Sequence, residues 1–254
     1  MLSAKDHSRD FLYDIPFFKA LTDQDFKKCY ESARFRTYAK HMPICFQDDK
    51  ADRFFIIHSG WVKLYRNTEW GEETIISLLT RGDVFGKAAV FFETDYPFSA
   101  EAAKESHMIE IPGAVIREVT RNNPDMLNGV LGEMSRQVRR LQLEKEHMTL
   151  MDVSQRVSCL LIQLSSSMKG AGGTFPFPYE KSLAASRLGM KAESFSRALR
   201  SLNKRGVYAK GAEVTIKNFS RLAEHCCAHC SATTADCNGA FRKPNVLQHS
   251  FQFF

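Results

Sequence analysis

Short apolar or alternating runs, each ended by turn-forming residues, fill the chain from about 34 to 112. RFFIIHSG, WVKLYRN, EETIISLL and SHMIEI are such runs, and Ser59-Gly60 and Arg81-Gly82-Asp83 are turn signals between them. Strands of this length and spacing are typical of an antiparallel sandwich or roll. Residues 11–34 indicate one or two short helices before it, with Thr22-Asp23 as a cap.

A heptad pattern replaces the short runs from Pro124 to about Met151. Asn123-Pro124-Asp125 combines a capping residue, a first-turn proline and an acid that suits the helix dipole. A narrow apolar stripe on so long a helix favours pairing with a second copy over packing on its own domain. The predicted dimerisation positions are Leu127, Leu131, Met134, Val138, Leu141 and Met148.

Residues 181–202 predict a helix-turn-helix that follows a helix capped by Asp152. Ala185 is small where a second helix must approach closely, and Gly189 suits a turn that requires positive φ. Phe195, Ala198, Leu199 and Leu202 form the buried side of the second helix.

The outward side of the second helix carries Glu193, Ser196, Arg197 and Arg200, a set that we call the outward stripe. Arginine can grip guanine and glutamate can accept from cytosine, whereas a helix that binds only phosphate would be uniformly basic. The next segment, GVYAKGAEVTIK, predicts a hairpin that turns at Lys210-Gly211 and forms a wing. The predicted DNA contacts are Ser182, Lys191, Glu193, Ser196, Arg197, Arg200, Lys204 and Lys210.

Charge supports this interpretation. The 254-residue chain has a net charge of +6, and residues 179–217, with nine basic and three acidic side chains, carry a surplus of that same size. A basic island beside a neutral body indicates a module that binds a polyanion.

We see no signal peptide and no membrane-spanning run, so we expect a cytoplasmic protein. We also see no P-loop, kinase loop or metal-hydrolase pair, so we expect that the protein is not an enzyme.

Taken together, these motifs resemble the CRP/FNR family of bacterial transcription regulators, over nearly all of residues 11–222. Glu193-x-x-Ser196-Arg197 matches the E-x-x-S-R signature of the FNR-like branch, and AESFSRALRSL is most similar to its nitric-oxide-responsive denitrification regulators. The resemblance implies a homodimer that binds TTGAT-like inverted repeats in DNA and activates transcription by contacting RNA polymerase. An enzyme or channel controlled by the roll is the alternative class, and its catalytic motifs are missing.

The expected fold is α+β, an antiparallel β-roll similar to cyclic-nucleotide-binding domains, a long dimerisation helix and a winged helix-turn-helix. The predicted domains are the roll with its preceding helices (1–121), the dimerisation helix and hinge (122–151), the DNA-binding domain (152–225) and a Cys-rich tail (226–254).

The sensory side departs from the members of the family that bind cyclic nucleotides. Gly86 and Ser99 match their phosphate cassette. However, Lys87 replaces the ribose-binding acid, and Phe98 replaces the phosphate-binding arginine. A buried cyclic phosphate without that arginine would be poorly compensated, so we expect no cyclic AMP. The predicted effector pocket, or filled apolar core, comprises Phe85, Gly86, Lys87, Ala88, Phe98, Ser99 and Leu141.

Three groups are candidate cofactors: haem, zinc and an iron–sulfur cluster. The amino terminus lacks the cysteine cluster of an iron–sulfur sensor, and haem is the alternative that the resemblance implies, with His41, His58, His107 and His147 as candidate ligands. An odd total of seven cysteines argues against a disulfide framework. Cys226, Cys227, Cys230 and Cys237 of the tail are candidate ligands of zinc or an iron–sulfur cluster, which would make the protein a metal- or redox-responsive regulator.

Overall fold

The computed structural model describes residues 4–19, 21–67, 70–71, 73–165 and 173–226. Its amino-terminal body is the predicted antiparallel β-roll, built from two sheets. One sheet has the strand order β1-β8-β3-β6 and the other has the order β2-β7-β4-β5. The strands are β1 (Arg34–Tyr38), β2 (Pro43–Cys45), β3 (Arg53–Ser59), β4 (Trp61–Asn67), β5 (Glu73–Thr80), β6 (Val84–Phe85), β7 (Ser99–Ala102) and β8 (Ser106–Pro112).

Strand β3 is apolar on both sides because it separates two layers. Phe54 packs toward the helices that cover the roll, where its ring meets that of Phe17 at 5.9 Å between centroids. Phe55 points between the sheets and stacks on Phe85 at 4.9 Å. The continuous run RFFIIHS therefore describes a strand that is buried on two faces.

Four helices cover the outer face of the first sheet or lead into it. They are α1 (Ala4–Asp14), α2 (Asp23–Ser32), α3 (Lys87–Phe92) and α4 (Gly113–Asn122). The predicted cap of α2 is confirmed, since the Thr22 hydroxyl accepts a hydrogen bond from the Asp25 amide at 3.2 Å.

The heptad segment is one helix, α5 (Pro124–Leu150). Among its described side chains, the apolar stripe is exposed on this single chain: Leu131, Met134, Val138, Leu141 and Met148. No helix in the described part of the chain is both long and apolar enough to span a membrane.

The carboxy-terminal body is a winged helix. Its helices are α6 (Val153–Ser165), α7 (Lys181–Arg187), α8 (Ala192–Ser201) and α9 (Phe219–Ala223), with a 3₁₀ turn at Leu202–Arg205. Strands β9 (Gly173–Pro176), β10 (Val207–Lys210) and β11 (Glu213–Ile216) form an antiparallel sheet of order β10-β11-β9. The predicted wing hairpin is present, β9 forms the edge of its sheet, and the expected α+β fold is confirmed.

The roll and the winged helix share one apolar seam. Leu78 and Ala103 of the roll belong to the same buried cluster as the core of the winged helix. At the edge of this seam, the Lys40 ammonium donates to the Glu180 carboxylate at 2.8 Å. The first helix of the helix-turn-helix, α7, therefore lies against strand β5 of the roll.

Candidate nucleic-acid interface

The turn between α7 and α8 depends on a glycine. Gly189 has φ of +62°, and a Cβ at this position would lie 3.1 Å from Cε of Met148. The Met190 amide then donates to the carbonyl of Ala185 at 3.0 Å, which closes the turn. The Ala185 side chain is only 1% exposed. Backbone conformation and close packing together explain why glycine and alanine occupy these two positions.

Helix α8 buries one side and presents the other. Phe195, Ala198 and Leu199 are buried against the winged-helix core, and Leu202 continues that side into the 3₁₀ turn. The helical period then places the outward stripe on the opposite side.

The outward stripe lines a shallow cleft of about 350 Å³, together with Ala192. Nη2 of Arg197 donates to the Ser194 hydroxyl at 3.3 Å, and Nε of Arg200 lies 3.4 Å from the carbonyl of Ser196. Within the described residues, no carboxylate lies in ion-pair distance of either guanidinium. Both groups therefore retain donors that can bind bases or phosphates.

The predicted lysine contacts surround this helix. Lys191 is its exposed N-cap residue, Lys204 is exposed on the 3₁₀ turn, and Lys210 is exposed where the hairpin turns. The wing is attached to α7, because Nζ of Lys181 donates to the carbonyl of Gly211 at 2.6 Å.

Ser182 differs from the other predicted DNA contacts. It is exposed, yet it lines a cleft of about 260 Å³ between α7 and the roll, opposite Lys63 and Glu101. In this arrangement the roll lies beside the first turn of α7, where Ser182 is located.

The predicted effector residues lie mainly in a filled aromatic core between the sheets. Phe85 contacts the ring of Phe98 at 6.2 Å between centroids, and Tyr96 lies 6.4 Å from Phe98. Gly86 has a φ of +80°, and a Cβ there would lie 3.1 Å from the Tyr96 ring, so both the backbone and the packing favour glycine. Ser99 is buried and accepts from the Gln47 amide, while Ala88 is exposed, Lys87 is partly exposed and Leu141 is exposed on α5.

A polar network inside the roll was not foreseen from the sequence. Glu110 of β8 is 1% exposed and accepts from the Tyr38 hydroxyl at 2.6 Å and from Nη1 of Arg53 at 2.9 Å. The hydrogen bonds that the Arg53 guanidinium donates to Asp52 and Glu110 raise its pKa above the usual value, against the effect of burial. The available signal was the charge in SHMIEI, since an acid within an apolar strand requires a partner.

Tyr38, Arg53 and Glu110 line a cavity of about 470 Å³. None of the predicted effector residues belongs to its lining. Its lining has no histidine, and its tyrosine hydroxyls are bound to Glu110 and to the Arg53 carbonyl. Its one cysteine, Cys45, is buried, and burial raises the pKa of the thiol to about 12, so it is not the thiolate that haem iron binds. The cavity residues therefore do not fit haem through an axial ligand.

The predicted histidines are dispersed over the described structure. His41 binds Glu101, His107 binds Thr37, His58 packs on the Phe11 ring and His147 lies on α5. Across the described ranges, no group of three or more histidine, cysteine or acidic side chains is placed to hold a metal. Cys226 is described and buried, whereas Cys227, Cys230 and Cys237 lie outside the described residues.

Two family models match the chain in the order of its two bodies. The cyclic nucleotide-binding domain model matches residues 35–123, and the Crp-like helix-turn-helix domain model matches residues 155–225. The first match covers the roll and the second covers the outward stripe with its wing.

Known proteins are similar over most of the chain. A crystal structure from Ruegeria pomeroyi, described as that of a cyclic nucleotide binding protein, is 30% identical, covers 88% of this chain and 98% of its own, and has a TM-score of 0.68. The cyclic AMP receptor protein of Thermus thermophilus is 24% identical over 82% of this chain and 95% of its own length. The anaerobic regulatory protein of Aggregatibacter actinomycetemcomitans is 26% identical over 69% of this chain and 70% of its own.

Proposed function

Because the chain belongs to the CRP/FNR family of transcription regulators, we propose that it is a homodimeric activator that binds TTGAT-like inverted repeats. The outward stripe is the observation that carries this proposal. Glu193, Ser196 and Arg197 stand together on an exposed helix face after the Gly189 turn. An acid one turn before two arginines is unfavourable for plain phosphate binding and favourable for base recognition.

The exposed apolar stripe of α5 supports the dimer. Leu131, Val138 and Leu141 are each more than half exposed on one chain, and this arrangement leaves apolar surface in water along a heptad. A second copy of the helix would bury that surface. A dimer with two outward stripes also matches a two-fold symmetric operator.

Activation is proposed to occur through contact with RNA polymerase, and the controlling signal is nitric oxide, oxygen or redox state. The similarity to an anaerobic regulatory protein and the FNR-like recognition signature support this choice. The cavity lining offers haem no histidine and only the protonated thiol of Cys45, so no step of the proposed response runs through haem. The Cys-rich tail is the alternative site of a zinc ion or an iron–sulfur cluster.

Cyclic AMP is not the proposed signal, although two of the similar proteins are named for cyclic nucleotides. Phe98 stands where the family's phosphate-binding arginine is expected, and its ring packs on Phe85 and Tyr96. An apolar ring cannot compensate a buried phosphate. Titration calorimetry with cyclic AMP should give no binding heat, and saturable micromolar binding would contradict this part of the proposal.

A mobility-shift assay tests DNA recognition directly. The purified chain should shift a TTGAT-N4-ATCAA duplex at a concentration at least about 1000-fold below that needed for a scrambled duplex at the same salt. Equal affinity for the two duplexes would overturn sequence-specific recognition. An absorption spectrum of anaerobically purified protein, with zinc analysis, distinguishes haem, an iron–sulfur cluster and zinc.

A further inference from the structure

Two buried cysteines pack against each other where α6 meets the end of the described chain. Cys159 is 4% exposed, Cys226 is 9% exposed, and they form a small buried cluster of their own. Met151 and Ile162 pack against this cluster. The two positions are distant in sequence, so only the fold brings their thiols together.

The residue before Cys226 holds this end of the chain on α6. His225 Nε2 and the Ser154 hydroxyl form a hydrogen bond of 3.0 Å. The Cys226 amide donates to the carbonyl of Ala223 at 3.0 Å, so the short helix α9 continues as a turn up to the cysteine. The Cys226 thiol itself donates to the carbonyl of Leu222 at 3.3 Å, so backbone and side-chain contacts together hold Cys226 beside Cys159.

The cysteines of the roll provide a contrast. Cys29 and Cys45 are buried in its apolar core, and burial raises the pKa of each thiol to about 12. They belong to the large apolar cluster of the roll, whereas Cys159 and Cys226 form a two-cysteine cluster of their own. They serve as internal controls in the same chain.

We propose that Cys159 and Cys226 form a redox modification site that closes as an intramolecular disulfide by exchange with a small-molecule disulfide. In the first step the Cys226 thiolate attacks that disulfide, forms a mixed disulfide and releases one small thiol. The Cys159 thiolate then attacks the Cys226 sulfur and releases the second small thiol. The two protein thiols lose two protons and two electrons, and the small disulfide is reduced to two thiols.

The bond would connect α6 to α9 across the whole helix-turn-helix. It closes a loop that contains α7, α8 and the wing, so it restricts the unfolded chain more than the folded one. Since α6 also packs against α8, the oxidised protein should unfold at a higher temperature.

The test uses the full chain with Cys227, Cys230 and Cys237 changed to alanine, which removes the competing thiols that follow Cys226 in the sequence. The protein is equilibrated with oxidised glutathione in the presence of a chelator, alkylated and mapped without reduction. We expect a linked peptide that contains Cys159 and Cys226, and we expect Cys29 and Cys45 to be alkylated. The melting temperature should rise by about 3 °C, and reduction with dithiothreitol should return it to its original value.

The matched control adds Cys159→Ala to this variant. It should carry glutathione at Cys226, with no linked peptide and no rise in melting temperature; a second control with Cys226→Ala should leave Cys159 fully alkylated. If Cys159 stays alkylated in the parent variant, or if glutathione remains at Cys226 without the link, the proposal is overturned. DNA is absent from this experiment, so its outcome is independent of operator recognition.

Discussion

Trp61 of the roll and Tyr179 of the winged helix meet edge to face, with their ring centroids 5.0 Å apart. Tyr179 is buried, and the Lys40–Glu180 ion pair lies one residue further along the chain. The aromatic contact therefore joins the roll to the segment that leads into α7, the helix before the outward stripe.

The first prediction concerns this aromatic contact. Tyr179→Ala should lower the free energy of unfolding by about 3 kcal/mol because it empties a buried aromatic site. A double-mutant cycle with Trp61→Ala should show a coupling of about 1 kcal/mol, which is typical of an edge-to-face pair. Urea unfolding measures the four proteins, and strictly additive losses would show that the rings do not interact.

Much of this architecture could be predicted because its determinants are local. The runs RFFIIHSG and WVKLYRN and the Gly189 turn each carry their own pattern in a few neighbouring residues. Lys40–Glu180 and Tyr38–Glu110 are different, since each pairs residues that no periodicity relates. The sequence shows that Glu110 needs a partner but not which residue supplies it.

The effector region shows the same limit. The sequence left a pocket and a filled core as alternatives, and packing decides between them. The rings of Phe55, Phe85 and Phe98 fill the space beside Gly86. The cavity of about 470 Å³ lies instead beside Glu110, where residues from several strands come together.

The second prediction is a pH dependence due to His58. Burial lowers the pKa of its imidazole, and the nearby Arg81 and His107 lower it further. The unfolded chain then binds a proton more readily than the folded one, so stability is present above about pH 6.5 and is lost as pH falls through the folded pKa.

Urea unfolding at about pH 7.5 and about pH 5.5 measures this loss. His58→Gln removes the titrating group and should show a smaller loss between the two pH values than the parent protein. His41→Gln is the matched control, because His41 is an exposed histidine of the same roll that pairs with Glu101. An equal loss in His58→Gln and the parent would assign the pH dependence to other groups.

The third prediction concerns dimerisation. Val138→Glu places a carboxylate in the middle of the α5 stripe, where the two copies would bring like charges together. Sedimentation should show a monomer, and operator affinity should fall about 100-fold or more because each monomer holds only one half-site. The control is Arg139→Glu on the neighbouring exposed position of the same helix, which should remain dimeric. A dimeric Val138→Glu protein would place the interface elsewhere.

The fourth prediction concerns the wing. Lys210 is exposed at the hairpin turn, where a phosphate contact is expected. Lys210→Ala should weaken binding to the TTGAT duplex and to a scrambled duplex by the same factor. The slope of log K against log salt should fall by about one unit for each protomer. Weakening confined to the TTGAT duplex would instead indicate a contact with a base.

The last prediction distinguishes base recognition from phosphate binding at Arg197. Among the described residues its guanidinium makes a single hydrogen bond, of 3.3 Å to Ser194, so most of its donors are available to a guanine edge. Arg197→Ala should cost about 2 kcal/mol on the TTGAT duplex and should remove most of the preference for guanine over adenine at the central position. Arg221→Ala, on the exposed face of α9, is the matched loss of charge and should keep that preference. If Arg197→Ala weakened both duplexes equally, as expected for Lys210→Ala, the outward stripe would bind the backbone, and Glu193 beside it would have no role in recognition.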